Sequence, residues 1–327
     1  MHRKMKFLLT FLLLALSLGA SAQSLGAGTT NIRYVSKNGK YSNDGKSWKN
    51  AKANIQDAIN DLVDNGLTGE VWVAAGKYTP TESTESSGGS TLYMSFKIPK
   101  GITVRGGFRG KTDNYDGEID KDERKMTTMK SIGSFYSNYT ILSGDLSSDA
   151  KFTWDKTKQQ WNTAFYGNCY HVVTFATNGF DATTGRANGN GGGYRSAMLE
   201  GCVIEHGNAT NSDLSGRPHN AYGGGIYMVE GAYVKNCWIR ECIATRNGGG
   251  VYMDGGGYME HSFTSNCQAV GIGTSFGYGG GVCMDGPDEY ARDSQTMIQR
   301  QCGIIGCVGR MGGGLAILAN DLDGNNK

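Results

Sequence analysis

Three consecutive glycines followed by an apolar residue occur four times in the second half of the chain, and no other feature limits its fold as strongly. The copies read Gly223-Gly224-Gly225-Ile226-Tyr227-Met228, Gly248-Gly249-Gly250-Val251-Tyr252-Met253, Gly279-Gly280-Gly281-Val282-Cys283-Met284 and Gly312-Gly313-Gly314-Leu315-Ala316-Ile317. Successive triplets begin 25, 31 and 33 residues apart. A period in that range marks stacked supersecondary units, none of which can bury its apolar face alone. Glycine admits a turn that a Cβ would block, and the β-branched or aromatic residues after it suit a pleated strand. One turn and one strand per repeat, stacked many times, predict an all-β solenoid.

A second half of the repeat lies upstream of the triplets. Cys202-Val203-Ile204-Glu205-His206-Gly207, Cys237-Trp238-Ile239-Arg240-Glu241-Cys242, Ser262-Phe263-Thr264-Ser265-Asn266-Cys267 and Cys302-Gly303-Ile304-Ile305-Gly306-Cys307 align without gaps. One column holds Cys202, Cys237, Ser262 and Cys302; a second holds Val203, Trp238, Phe263 and Gly303; a third holds Gly207, Cys242, Cys267 and Cys307. Alternate strand positions face opposite sides, so the sulfur and aromatic columns cannot all point inward without a bend between them.

All eight cysteines fall between Cys169 and Cys307. An even count in an exported protein suggests disulfides. Stacked strands about 4.8 Å apart would instead set equivalent cysteines in ladders of small buried groups, at a spacing slightly beyond the usual bridge. Both accounts stay open on the sequence. The Cys-x4-Cys pairs at 237/242 and 302/307 have no clustered histidines and recur with the repeat, which argues against a metal site.

Met1 to Ala22 carries Arg3, Lys4 and Lys6, an apolar run from Phe7 to Leu18, and Ala20-Ser21-Ala22 before Gln23. This is the pattern of a cleaved secretory signal peptide, which predicts a secreted or outer-surface protein. The apolar run is too short for a membrane span of about 20 residues, and no later segment is long and apolar enough to cross as a helix. The leader's three basic residues exceed the formal net charge of +2, leaving the rest of the chain at −1. So balanced a chain gives no electrostatic case for nucleic acid. The 51 glycines against only 4 prolines fit tight β-turns better than a flexible linker.

The first half is organised differently. Trp48, Ala51, Ile55, Ala58, Ile59, Leu62 and Val63 keep helical spacing, and Gly66 supplies a stop. They predict one amphipathic helix over Ala51 to Asp64, laid across the open end of the first coil as a cap. Strand-like runs follow at Glu70 to Ala75, Ser95 to Ile98, Ile102 to Arg105 and Tyr139 to Leu142. Thr79 to Ser90 and Lys111 to Met129 read as long loops. The division expected is a leader at 1–22, a cap and first coils with long loops at 23–165, and glycine-triplet repeats at 166–327 without an obvious cap for the last coil, which implies either a partner covering that coil or a truncated member.

Several of these segments carry a resemblance. Tyr34-Val35-Ser36, Asn43-Asp44-Gly45-Lys46-Ser47-Trp48, Ile55-Gln56-Asp57-Ala58-Ile59 and Val71-Trp72-Val73-Ala74-Ala75-Gly76-Lys77-Tyr78 resemble the opening of exported bacterial right-handed parallel β-helix proteins. Gly106-Gly107-Phe108-Arg109-Gly110, Thr140-Ile141-Leu142-Ser143-Gly144-Asp145 and His171-Val172-Val173-Thr174 continue that order. Phe263-Thr264-Ser265-Asn266 ahead of Gly279-Gly280-Gly281-Val282 is similar to the repeats of chlamydial polymorphic outer-membrane proteins. The resemblance spans most of Tyr34 to Ile317 and implies a pectin-lyase-like right-handed parallel β-helix, a scaffold that hosts both enzymes and adhesive surfaces. The chlamydial family ends in a membrane β-barrel, and this sequence ends at Lys327 soon after a triplet.

A catalytic reading would need convergent groups. Asp254 and Asp285 occupy equivalent Met-Asp-Gly positions and should stand side by side on adjacent coils, although an aspartate before glycine commonly bonds its own turn. His206, Glu241 and Asn266 align as a polar ladder, which repeats one position instead of converging on one atom. His171 lies in an apolar run and reads as a satisfied core histidine. Asp113 to Asp120 resembles a calcium loop but lacks the bidentate glutamate of an EF-hand, so calcium is the only metal the sequence raises and no cofactor is required. No catalytic, cofactor-binding or metal residue is assigned. Tyr194, Tyr222, Tyr227, Tyr233, Tyr252, Tyr258 and Tyr278 offer flat surfaces suited to sugar rings or protein partners, with Tyr227, Tyr252 and Cys283 also able to stack internally. The expected function is an adhesin-like, non-catalytic surface protein that binds a glycan or a surface protein. The alternative is a polysaccharide lyase or glycoside hydrolase of the same fold.

Overall fold

The computed structural model describes residues 31–84, 90–110, 124, 138–165, 167–175, 197–210, 218–229, 231–271, 273, 277–286, 297–300 and 302–318. These residues belong to the compact unit Asn31–Lys327. The unit Met1–Thr30, and with it the leader at 1–22, lies outside the described residues, as do Tyr194, the acidic segment 113–120 and most of 111–129.

The described chain is mostly strand, and its strands pair almost entirely in parallel. Parallel sheets of seven, six, four and six strands hold them, beside one antiparallel hairpin of Lys151–Asp155 with Gln160–Ala164. From residue 197 the chain visits the four sheets in a constant order: Ala197–Glu200, Val203–Glu205, Asn208–Ala209, Ile226–Val229. The second circuit is Ala232–Lys235, Trp238–Arg240, Ile243–Ala244, Val251–Asp254, and the third is Gly257–Glu260, Phe263–Ser265, Gln268–Ala269, Val282–Asp285. The fourth runs Met297–Arg300, Gly303–Ile305, Val308–Gly309, Leu315–Leu318. Each strand pairs with its equivalent in the neighbouring circuit, so the three aligned columns of the sequence are in true register.

The three glycines of a triplet are required for three different reasons. The first is left-handed, with φ of 61°, 65°, 60° and 66° at Gly223, Gly248, Gly279 and Gly312. The second passes against backbone: a Cβ on Gly224, Gly249 or Gly280 would lie 2.3, 2.3 or 2.1 Å from the carbonyl oxygen of Ile243, Gln268 or Val308. The third faces the second sheet, where a Cβ on Gly225, Gly250 or Gly281 would lie 2.7 Å from Cγ2 of Ile239, Thr264 or Ile304. One motif therefore makes the corner and lets the fourth sheet approach the second and third.

The bend that the columns demanded is also left-handed. Gly201, Asn236 and His261 precede the first cysteine column with φ of 74°, 51° and 47°, and His206, Glu241, Asn266 and Gly306 precede the third with 62°, 53°, 54° and 62°. That conformation costs a non-glycine residue roughly 1–2 kcal/mol. Where a cysteine or serine follows the corner, its side chain offsets part of that cost by bonding the carbonyl two residues back. Cys237 Sγ reaches Lys235 O at 3.3 Å, Cys242 Sγ reaches Arg240 O at 3.1 Å, and Ser262 Oγ reaches Glu260 O at 2.9 Å. A thiol and a hydroxyl can both do this, which explains the serine in a cysteine column. All eight cysteines are free thiols; those of the two aligned columns stack as the ladder account expects, whereas Cys283 stands between Tyr252 and Ala316. The backbone bonds Asn208 N→Cys169 O (2.8 Å) and Ile243 N→Gly207 O (3.0 Å) add Cys169 to the third column, a member the repeat alignment did not include.

Between the sheets lies one apolar core. Val71, Val104, Leu199, Val234 and Met259 of the first sheet, Leu142, Ile204 and Ile239 of the second, and Met228, Met253 and Met284 of the fourth are all buried in it. Each such side chain contributes about 1.5–3 kcal/mol relative to exposure. The helix spans Ile55–Asp64, shorter at its start than the spacing predicts. Asn54 is the reason: its extended backbone and its side chain, which accepts from Gln56 N at 2.7 Å, form the N-cap. Ile55, Ala58, Ile59 and Leu62 join the core, whereas Val63 is exposed. Trp48 and Ala51 belong to the loop before the helix and pack with Tyr34, Trp72 and Phe108 in a separate aromatic cluster. The helix contacts Asn31–Val35, the outermost strand of the first sheet. Among the described residues no helix is long and apolar enough to cross a membrane.

Candidate functional site

The fourth sheet brings the two aspartates together. Val229, Asp254, Asp285 and Leu318 are in register, and so are Tyr227, Tyr252, Cys283 and Ala316 two residues earlier. Residues two apart share a face, so each tyrosine can reach the acid of the next strand. Tyr227 Oη donates to Asp254 Oδ2 at 2.7 Å, and Tyr252 Oη donates to Asp285 Oδ2. The two rings meet edge to face at 5.3 Å, the internal stack the sequence offered. Burial, reinforced by Tyr227, Asp285 and Asp254, pushes the Tyr252 phenol well above its ordinary range. It therefore stays a donor, and each carboxylate is held by a hydroxyl from the neighbouring strand.

The other candidates are also engaged. His171 is buried, with Nδ1 3.0 Å from Gly223 O and its ring 5.4 Å from that of Tyr227. Burial lowers its pKa to about 4, so the ring is a buried core histidine. His206 Nε2 lies 3.0 Å from Glu241 Oε2, and this bond, with Arg240 nearby, holds the Glu241 carboxyl below the usual range. His206, Glu241 and Asn266 form a lateral ladder at left-handed corners, which is a structural role. Beside it Glu205 is buried and bonded by Arg240 Nη2 at 2.6 Å, with Lys77 Nζ at 3.4 Å. Among the described residues no three His, Cys, Asp or Glu side chains converge as metal ligands.

The tyrosines require a correction. Tyr227, Tyr233 and Tyr252 are buried, and Tyr222, Tyr258 and Tyr278 are half-buried. Register explains part of this: parallel stacking sets Tyr227 against Tyr252 and Tyr233 against Tyr258, and gives Tyr227 and Tyr252 the carboxylates of Asp254 and Asp285.

The sequence reading missed a charge column on the first sheet. Tyr34, Trp72, Arg105, Glu200, Lys235, Glu260 and Arg300 stand in register, so the charges alternate in sign from Arg105 onward. Arg105 pairs with Glu200 and, at 2.8 Å, with Glu70; Arg124 also reaches Glu200, at 3.1 Å. Lys235 bonds Glu260 at 2.9 Å, and with help from Tyr233 lowers that carboxyl to about 2. A signal was present in the sequence: Glu200, Lys235, Glu260 and Arg300 each stand two residues before a member of the first column. Compared with models of protein families, with curated proteins and with solved structures, the chain finds no match.

Proposed function

We propose that this chain is an exported surface protein whose strand circuits coil as a right-handed parallel β-helix of the pectin-lyase-like kind, closed at its first coil by the amphipathic helix. In this reading it acts by adhesion, presenting an extended face to a glycan or protein partner, without catalysis. The observation that carries it is the unbroken register over four circuits. Register repeats each outward position at about 4.8 Å, so a single side-chain column becomes a regular array. An extended polymer can be met by such an array. Lys235 and Glu260, half-buried neighbours of opposite sign in register, are one example. The leader at 1–22 supports export.

A second reading rests on Asp254 and Asp285. Register sets the two aspartates on adjacent strands, about 4.8 Å apart at the backbone, and a retaining glycosidase uses two carboxylates roughly 5–5.5 Å apart. Against it, each is tied to a tyrosine and the array repeats instead of converging on one atom. The test is purified Gln23 to Lys327, with calcium, against uronate-containing and neutral polysaccharides, followed by product size and by direct binding. Binding without shortening supports presentation. Shortened or unsaturated products that vanish in Asp254→Asn or Asp285→Asn would establish the enzyme reading.

A further inference from the structure

A cavity of about 300 Å³ opens where the first three strands of the first sheet end. Its walls come from the loop after Val35, from Trp48 and Lys49, from Ala74 and Ala75, and from Arg109 and Gly110. Three lining residues are cationic, Lys37, Lys49 and Arg109, and none is acidic. The rest of this sheet treats its cations differently. Arg33 pairs with Asp61, Arg105 with Glu70 and Glu200, Arg124 with Glu200, and Lys235 with Glu260. Among the described residues no carboxylate pairs with Lys37, Lys49 or Arg109, and all three are exposed. Lys37 Nζ instead sits 5.2 Å from the centre of the Tyr78 ring.

The walls are built to hold their shape. Ser36 N bonds Lys52 O at 3.0 Å, Lys40 N bonds Ala51 O at 3.1 Å, and Asn43 Nδ2 bonds Ala51 O at 2.8 Å. Trp48 is clamped edge-on to Tyr34 at 4.8 Å and against Phe108 at 5.7 Å. At the base, Gly110 has φ +78° and comes so near Ala74 that a Cβ would lie 2.7 Å from the alanine's own. Preformed walls spare a ligand the cost of ordering them. Like-charged groups around one concavity repel one another, and an anion relieves that repulsion while forming charge-assisted hydrogen bonds.

We infer that this cavity is a subsite for the acidic group of a saccharide, a carboxylate or sulfate carried on one sugar residue. Its volume, at the low end of ordinary ligand pockets, suits a single residue. The saccharide part rests on the glycan reading above; the anion part rests on the three cations alone.

The test measures binding of an oligogalacturonate, a sulfated oligosaccharide, a neutral oligosaccharide of equal length and inorganic sulfate to the full chain at low and high salt. The expected result is that one or both acidic sugars bind, weaken with salt, and outbind the neutral sugar. Lys37→Gln, Lys49→Gln and Arg109→Gln should each weaken binding about three- to tenfold, the range of one net hydrogen bond at a solvent-exposed site. Lys40→Gln, on the same loop but outside the cavity, should leave it unchanged. As a second readout, the acidic sugar should protect Lys37 and Lys49, but not Lys40, from acetylation. Which acidic sugar binds tells carboxylate from sulfate. The inference falls if neither binds, if the triple variant binds as tightly as the native chain, or if inorganic sulfate binds as tightly as the sugars. Neutral-sugar binding unaffected by the triple variant would leave the glycan reading standing while removing this subsite.

Discussion

The first and last strands of the parallel sheets are finished in opposite ways. At the first, the helix Ile55–Asp64 lays Ile55, Ala58, Ile59 and Leu62 into the core and turns Val63 outward. At the last, the register continues, and among the described residues no further strand pairs with Leu315–Leu318. Leu315 and Ile317 are 39% and 65% exposed, whereas Val282 and Met284, in register with them one circuit earlier, are 0% and 5% exposed. Apolar residues in the same column are therefore core in one circuit and surface in the next. A repeat templates its own continuation, and an element of different periodicity is what closes it.

This contrast can be broken most severely at the glycines. Gly250→Ala would set a Cβ 2.7 Å from both Gly281 O and Thr264 Cγ2, and unfolding should show a loss of about 3 kcal/mol or more, or no folded protein. Gly314→Ala occupies the equivalent place in the last circuit, where the nearest atom is 3.5 Å away, and the melting temperature should scarcely move. Next in size, Leu62→Ala should cost about 2–5 kcal/mol in denaturant unfolding, and Ile317→Ala less than about 1 kcal/mol. Equal losses at the two ends would show that the last circuit is covered after all.

The buried side also carries a pH dependence. The His171 imidazole titrates at about 4 in the folded chain against an ordinary 6.5. As pH falls the unfolded chain takes up that proton first, so stability is full above about 6.5 and declines toward 4. His171→Asn should flatten that part of a stability–pH curve, and an unchanged slope would place the histidine's charge elsewhere. The gentlest test leaves the protein intact. Cys302 and Cys307 are partly exposed in the last circuit, while the other six cysteines are buried, with burial pushing the Cys237 thiol up to about 12. Native thiol labelling should modify the first two well before the rest.

Much of the architecture was legible because a repeat writes its register into the spacing. The glycine triplets, the cysteine columns and the pairing of Asp254 with Asp285 all follow from counting, since in a parallel stack equal offsets from a corner become neighbours. The charge column was equally countable through Glu200-x-Cys202 and Lys235-x-Cys237, but charges spaced 25 to 40 residues apart show no local pattern. The hairpin of Lys151–Asp155 and Gln160–Ala164 went unread because it belongs to no repeat. Its placement rests on contacts such as Trp161 N to Gln268 Oε1 at 2.6 Å, which join segments far apart in sequence.

The sequence by itself determined the order of turns and strands, because glycine, left-handed corners and β-branched residues act locally on the backbone. Only the tertiary structure decided burial. It buried Tyr233, gave Tyr227 and Tyr252 aspartate partners, and left Lys37, Lys49 and Arg109 around one cavity. Those outcomes depend on what lies across from each residue, and distance across a fold is not written along the chain.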